Sequence, residues 1–117
     1  MDSDEWDDFE AAIAELTFGE SVPFETAIRQ LCELHLNREA SVLLLASISY
    51  ATHVDHFLSV KEPNSLRASI HRYRVVAALS ADVALLPPSS KRCIDLLNFW
   101  AKSGNWVFLP KKVPKKS

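Results

Sequence analysis

The chain has 117 residues, 48% of them apolar and 24% charged, so it can fold around one modest core but could hardly build two, and it is too apolar to be wholly disordered. Its formal net charge of −2 hides a polarity: residues 1–28 hold nine acidic side chains and no Lys or Arg, while the remaining chain sets thirteen Lys or Arg against six acids. Only two glycines are present, too few for the tight hairpins, phosphate-cradling loops or dinucleotide folds that need positive φ or close backbone approach.

The first expected element, near Glu5 to Thr17, is a helix. Trp6, Phe9, Ile13 and Leu16 recur at steps of three and four, one apolar stripe on an otherwise acidic surface, and Gly19 is expected to end it. Residues 1–20 thus form an acidic amphipathic helix that could detach from the domain. Its aromatics would supply contact area in a partner's groove and its carboxylates would steer the approach. The competing reading folds the same stripe back onto its own core.

A second helix is expected to start at Ser21 or Val22 with Pro23 in its first turn. It runs through Phe24, Ala27, Ile28, Leu31, Leu34 and Leu36 to a stop at Asn37. The Ile28 to Leu36 spacing also matches a leucine-rich export signal, a pattern that core-facing amphipathic helices produce often. From Arg38 to about Val60 the chain reads as the longer, central helix. It is apolar nearly all round from Val42 to Ile48, enough that a homodimer would help to cover it.

After Pro63, Asn64 or Ser65 can cap a fourth helix through Leu66, Ile70, Tyr73, Val76, Ala77, Leu79 and Val83, stopped by Pro87 and Pro88. Arg67, His71 and Arg74, with Arg72 beside them, are expected to form a basic ridge opposite its apolar face, suited to phosphates or to a carboxylate-rich surface. The ridge could equally be a solvated face or pair with the acidic first helix. A fifth helix is expected from Ser89 or Ser90 to about Gly104, with Ile94, Leu97, Phe99 and Trp100 on it.

Trp106 and Phe108 then precede a basic tail. They either lock the chain end onto the bundle or offer stacking faces for bases. The expected architecture is all-α: a compact bundle of about five helices with a longer central helix, a single domain over residues 1–109 and a short flexible basic tail over residues 110–117. The tetratricopeptide pattern is absent.

The residues that could carry chemistry are few. His53 and His56 lie at i, i+3 with Asp55 between them, and His35 and His71 lie elsewhere; no CxxC or HExxH accompanies them. Cys32 and Cys93 sit among apolar residues and read as buried free thiols of a reducing compartment. No apolar run is long enough for a membrane span, and no secretory signal is indicated. No enzyme activity, metal or cofactor is therefore expected.

The leading functional expectation is a small intracellular adaptor or accessory regulator that binds a protein partner through Trp6, Phe9, Ile13 and Leu16, oriented by Arg67, His71, Arg72 and Arg74. The alternative is an RNA-binding regulator, viral or host, placing Arg67, Arg74, Lys111, Lys112, Lys115 and Lys116 on phosphates, in the cytoplasm or nucleus.

Overall fold

The computed structural model describes residues 3–57, 63–89, 91–103 and 108, with side chains over 6–55, 66–89, 91–103 and 108. The lysines at 111, 112, 115 and 116, the helix-capping candidate Ser90, the end of the third helix beyond Phe57, and Trp106 lie outside what is described, whereas Asn64 and Ser65 fall inside the first turn of a fourth helix that already begins at Pro63 rather than capping it. The all-α expectation holds. The helices are α1 (Ser3–Ala14), continued by a π-helical turn (Glu15–Gly19), α2 (Phe24–Leu34), α3 (Ala40–Phe57), α4 (Pro63–Leu85) and α5 (Cys93–Ser103). Among the described residues the one β-type pairing is an isolated antiparallel bridge between Glu39 and Arg92.

One cluster of buried side chains draws on every helix. Phe9 and Ile13 come from α1, Phe24, Ile28 and Leu31 from α2, and Leu43, Ala46 and Tyr50 from α3. Val75, Leu79 and Val83 come from α4, Leu96 and Trp100 from α5. Helix α3 lies at the centre, packed by α1, α2 and α4. Among the described residues α4 is the longer, at 23 residues against 18.

The end of α1 depends on Tyr50. Its hydroxyl shares a 2.7 Å hydrogen bond with Thr17 Oγ1, and its ring packs on Phe24 and Phe18, with centroids 5.0 and 6.1 Å away. Thr17 Oγ1 also reaches back to the Ile13 carbonyl at 2.9 Å, a side-chain bond that competes with the helical ladder where the chain widens into its π turn. The left-handed residue beyond it is Ser21 (φ 59°), not Gly19, where an added Cβ would meet nothing closer than Glu15 Cγ at 3.8 Å. Helix α2 then starts at Phe24, with Pro23 as its N-cap and no capping side chain.

Helix α2 stops at Leu34, two residues earlier than its apolar pattern suggests. Leu34 and Leu36 face solvent because residues 36–40 are used as backbone. The carbonyls of Leu36 and Arg38 accept the N–H groups of Ile94 (3.0 Å) and Cys93 (2.8 Å), and the Lys91 carbonyl accepts the N–H of Ala40 (2.8 Å). Each helix N-terminus has orphan N–H donors. Here one such donor of α3 and two of α5 are satisfied by the segment of chain that leads into the other helix. Arg92 Nη1 adds a 2.6 Å bond to the Asn37 carbonyl, and Asp95 Oδ2 accepts the Arg92 N–H at 3.0 Å, the return bond of a capping box. This exchange starts α5 at Cys93 rather than at Ser89 or Ser90. The buried side of α5 is Cys93, Leu96 and Trp100, with Ile94, Leu97 and Phe99 only half-buried.

Trp100 closes the far end. Its ring stacks on Phe108 (4.5 Å, 19°), and its Nε1–H donates to the buried Asp82 Oδ2 at 2.8 Å; Arg29 Nη1 bonds the Phe108 carbonyl at 3.4 Å. Phe108 thus locks onto the bundle. Replacing Trp100 by Phe keeps most of the apolar volume but deprives a buried carboxylate of a donor, which costs about 1–3 kcal/mol. A fall of that size in urea-unfolding stability, with an unchanged far-ultraviolet spectrum, is the expected result. Relieving the left-handed strain with Ser21→Gly should instead raise stability by up to about 1 kcal/mol.

Candidate functional site

Helix α4 carries two apolar stripes, not one. Ser69, Val75, Leu79, Asp82 and Val83 are buried and define its inward side. Leu66, Ile70 and Tyr73 are exposed at 52, 45 and 43%, and Ala77, Ser80 and Ala84 continue the same exposed line. At 3.6 residues per turn the two stripes are centred about 150° apart. The expectation that Leu66, Ile70, Tyr73 and Ala77 share one buried face with Leu79 and Val83 is corrected: they point away from the core.

Steps of 4, 3, 4, 3 and 4 separate Leu66, Ile70, Tyr73, Ala77, Ser80 and Ala84. That alternation of fours and threes, the a and d spacing of a heptad, marks a seam along which a second helix can lie. Arg67 and Arg74 are exposed along one edge of it, without an ion pair among the described residues. His71, one step further round, has Nε2 2.9 Å from Glu25 Oε1 of α2. Arg72 does not belong to this ridge. It sits half-buried on the inward side, its Nε enclosed without a hydrogen-bond partner among the described residues.

The expected anchors of α1 are placed elsewhere. Phe9 and Ile13 are buried in the core, and Trp6 and Leu16 are half-buried against it. Phe9 meets the edge of His35 (5.1 Å, 79°) and lies under the Arg38 guanidinium at 5.6 Å. Of the acidic side chains of α1, Glu10 meets α3 rather than the basic ridge, while Asp7 and Asp8 are exposed. His53 Nδ1 is 2.6 Å from Glu10 Oε2, and Ser49 Oγ donates to Glu10 Oε1 at 2.8 Å.

A serine, a histidine and a carboxylate in contact invite a catalytic reading, but the connectivity opposes it. Glu10 and Ser49 both approach the same ring nitrogen, Nδ1, the serine at 3.5 Å. A nucleophile relay needs the hydroxyl on the nitrogen opposite the carboxylate. The group serves as a clasp between α1 and α3. Asp55 is used elsewhere, accepting a 2.5 Å bond from Ser69 of α4. Among the described residues no three His, Cys, Asp or Glu side chains converge as a metal site, and no helix is long and apolar enough to cross a membrane.

The two cysteines, distant in sequence, meet where α2 passes the first turn of α5, and both are free and buried. The bond shared with the Cys93 sulfur, reinforced by burial, holds the Cys32 thiol far above its ordinary pKa. Receiving that bond lowers Cys93, against the opposing effect of burial and with help from the Arg38 charge. Comparison with protein-family models, curated proteins and solved structures found no match to this chain.

The outward seam of α4 is the feature that reading the sequence missed. A signal for it was present: the apolar positions from Leu66 to Val83 span too wide an arc for one buried face. For the thiols, full burial should outweigh the lowered pKa of Cys93. An aromatic disulfide reagent is expected to label neither cysteine in the folded protein and both after denaturation. Labelling of one cysteine in the folded state would place it at the surface.

Proposed function

We propose that the protein is a non-enzymatic helical interaction module, an adaptor or accessory regulator that binds a protein partner through the outward face of α4. The observation that carries this reading is the exposed Leu66–Ile70–Tyr73 stripe at helix-pairing spacing. A row of large apolar side chains held outward on a long helix is a feature that association covers. Burying the exposed part of each contributes on the order of 1 kcal/mol, so three with a polar rim suit a reversible complex.

Helix α1 serves this reading as scaffold. Using Trp6, Phe9, Ile13 and Leu16 as anchors would require it to leave α3, opening the core at Phe9 and Ile13 at a cost of several kcal/mol. The α4 face needs no such rearrangement. Free thiols in contact with one another support a reducing compartment, the cytoplasm or the nucleus.

A second reading, binding of RNA, is supported by Arg67 and Arg74, exposed and without an ion pair among the described residues. One experiment separates the two. A photo-crosslinking amino acid is placed at Tyr73 and the protein is irradiated in cells. The expected product is a discrete protein adduct that disappears with Ile70→Glu, whose own melting temperature stays within about 2 °C of the parent because the site is exposed. An RNA adduct instead would favour the second reading, and the absence of any adduct would count against both.

A further inference from the structure

We propose that the α4 seam receives an acidic amphipathic helix from a partner protein, laid along α4 as in a coiled coil, and that Arg67 and Arg74 select it by charge. This rests on α4 being the docking face and adds the chemistry of what docks there.

The seam from Leu66 to Ala84 is straight and about 27 Å long at 1.5 Å per residue. Its first half presents large side chains, Leu66, Ile70 and Tyr73, and its second half small ones, Ala77, Ser80 and Ala84. A docking helix therefore needs small residues opposite Tyr73 and large apolar ones over Ala77 to Ala84, where backbones can approach closely. A helix satisfies this by inserting one side chain per turn. A nucleic acid would find mainly aliphatic groups along the middle of the face, with Tyr73 the single ring in the seam and charge at one edge only.

The two edges of the seam differ. One edge is formed by Ser69, Val76 and Val83, buried or half-buried on the side of α4 that faces its own domain. The other carries Arg67 and Arg74, one heptad apart, both exposed. The open rim is therefore positive. In a helix pair these flanking positions choose partner and orientation.

That rim opposes a second copy of this chain. Antiparallel pairing of two α4 helices would bring the Arg67 and Arg74 edges of the copies together, with like charges facing. Parallel pairing would set each arginine against the partner edge of Ser69 and Val76, which carries no charge. Glu or Asp on the facing edge of a different helix satisfies both arginines. Ile70 and its neighbours supply adhesion, the arginines discrimination.

The test uses the full chain and three fluorescein-labelled designed helices of about 21 residues, three heptads, sharing one apolar seam. The flanks are Glu in the first, Gln in the second and Lys in the third. Binding is followed by anisotropy at low and moderate salt, against wild type, Ile70→Glu, and the double variant Arg67→Glu with Arg74→Glu. All three sites are exposed, and circular dichroism checks the fold of each variant.

The expected result is that wild type binds the Glu helix about tenfold more tightly than the Lys helix, a margin that shrinks with salt. The double variant should reverse that order, and Ile70→Glu should abolish binding of every helix. Equal binding of the three helices, unchanged in the double variant, would overturn the acidic partner while leaving α4 as a docking face. Binding that survives Ile70→Glu, or no binding of any helix, would overturn the docking face and this inference together. A wild-type chain that sediments as a dimer dispersed by Ile70→Glu would assign the seam to a second copy and overturn the proposal.

Discussion

Two helix beginnings share one solution to their unsatisfied backbone donors, and the bundle is arranged around it. The chain entering α3 and the chain entering α5 run antiparallel for a few residues and exchange carbonyls for N–H groups, with Arg92 and Asp95 completing the junction. The junction fixes where both helices start and how α2 lies against α5, which brings Cys32 and Cys93 together. It also explains the outward Leu34 and Leu36. The backbone around them is committed to hydrogen bonding in a direction that leaves their side chains outside.

Against this fixed junction, the division of labour on α4 is clear. Its inward face supplies Val75, Leu79 and Val83 to the core and Asp82 to Trp100. Its outward face is apolar without any need of the fold, since the core is complete without Leu66, Ile70 and Tyr73. Folding would be served as well by polar residues there. That surplus apolar surface, rather than the acidic α1, is where an interaction surface is best argued.

Much of the fold was legible in the sequence, and the failures share causes. The five helices, the stop at Pro87 and Pro88, and the inward sides of α1 and the first half of α2 follow from periodicity, because each has one apolar stripe facing one neighbour. Helix α4 defeats that logic. Two stripes overlap in a linear reading, and nothing local says that Val75 and Leu79 are inside while Ile70 and Tyr73 are outside. The start of α5 and the end of α2 depend on backbone bonds between segments about fifty residues apart, which no local pattern encodes. The basic ridge was found only in part: Arg67 and Arg74 lie at the surface, but Arg72 turns inward.

The junction between the α3 and α5 entries also bears on how the chain reaches this state. Its two halves are separated by α3 and α4, so closing it means closing a long loop, whose entropic cost is recovered only once the intervening helices have packed. Until it closes, the first turn of α5 lacks its acceptors and nothing holds the two sulfurs side by side, so whatever opens the junction also opens Cys32 and Cys93 to any reagent able to capture a thiol.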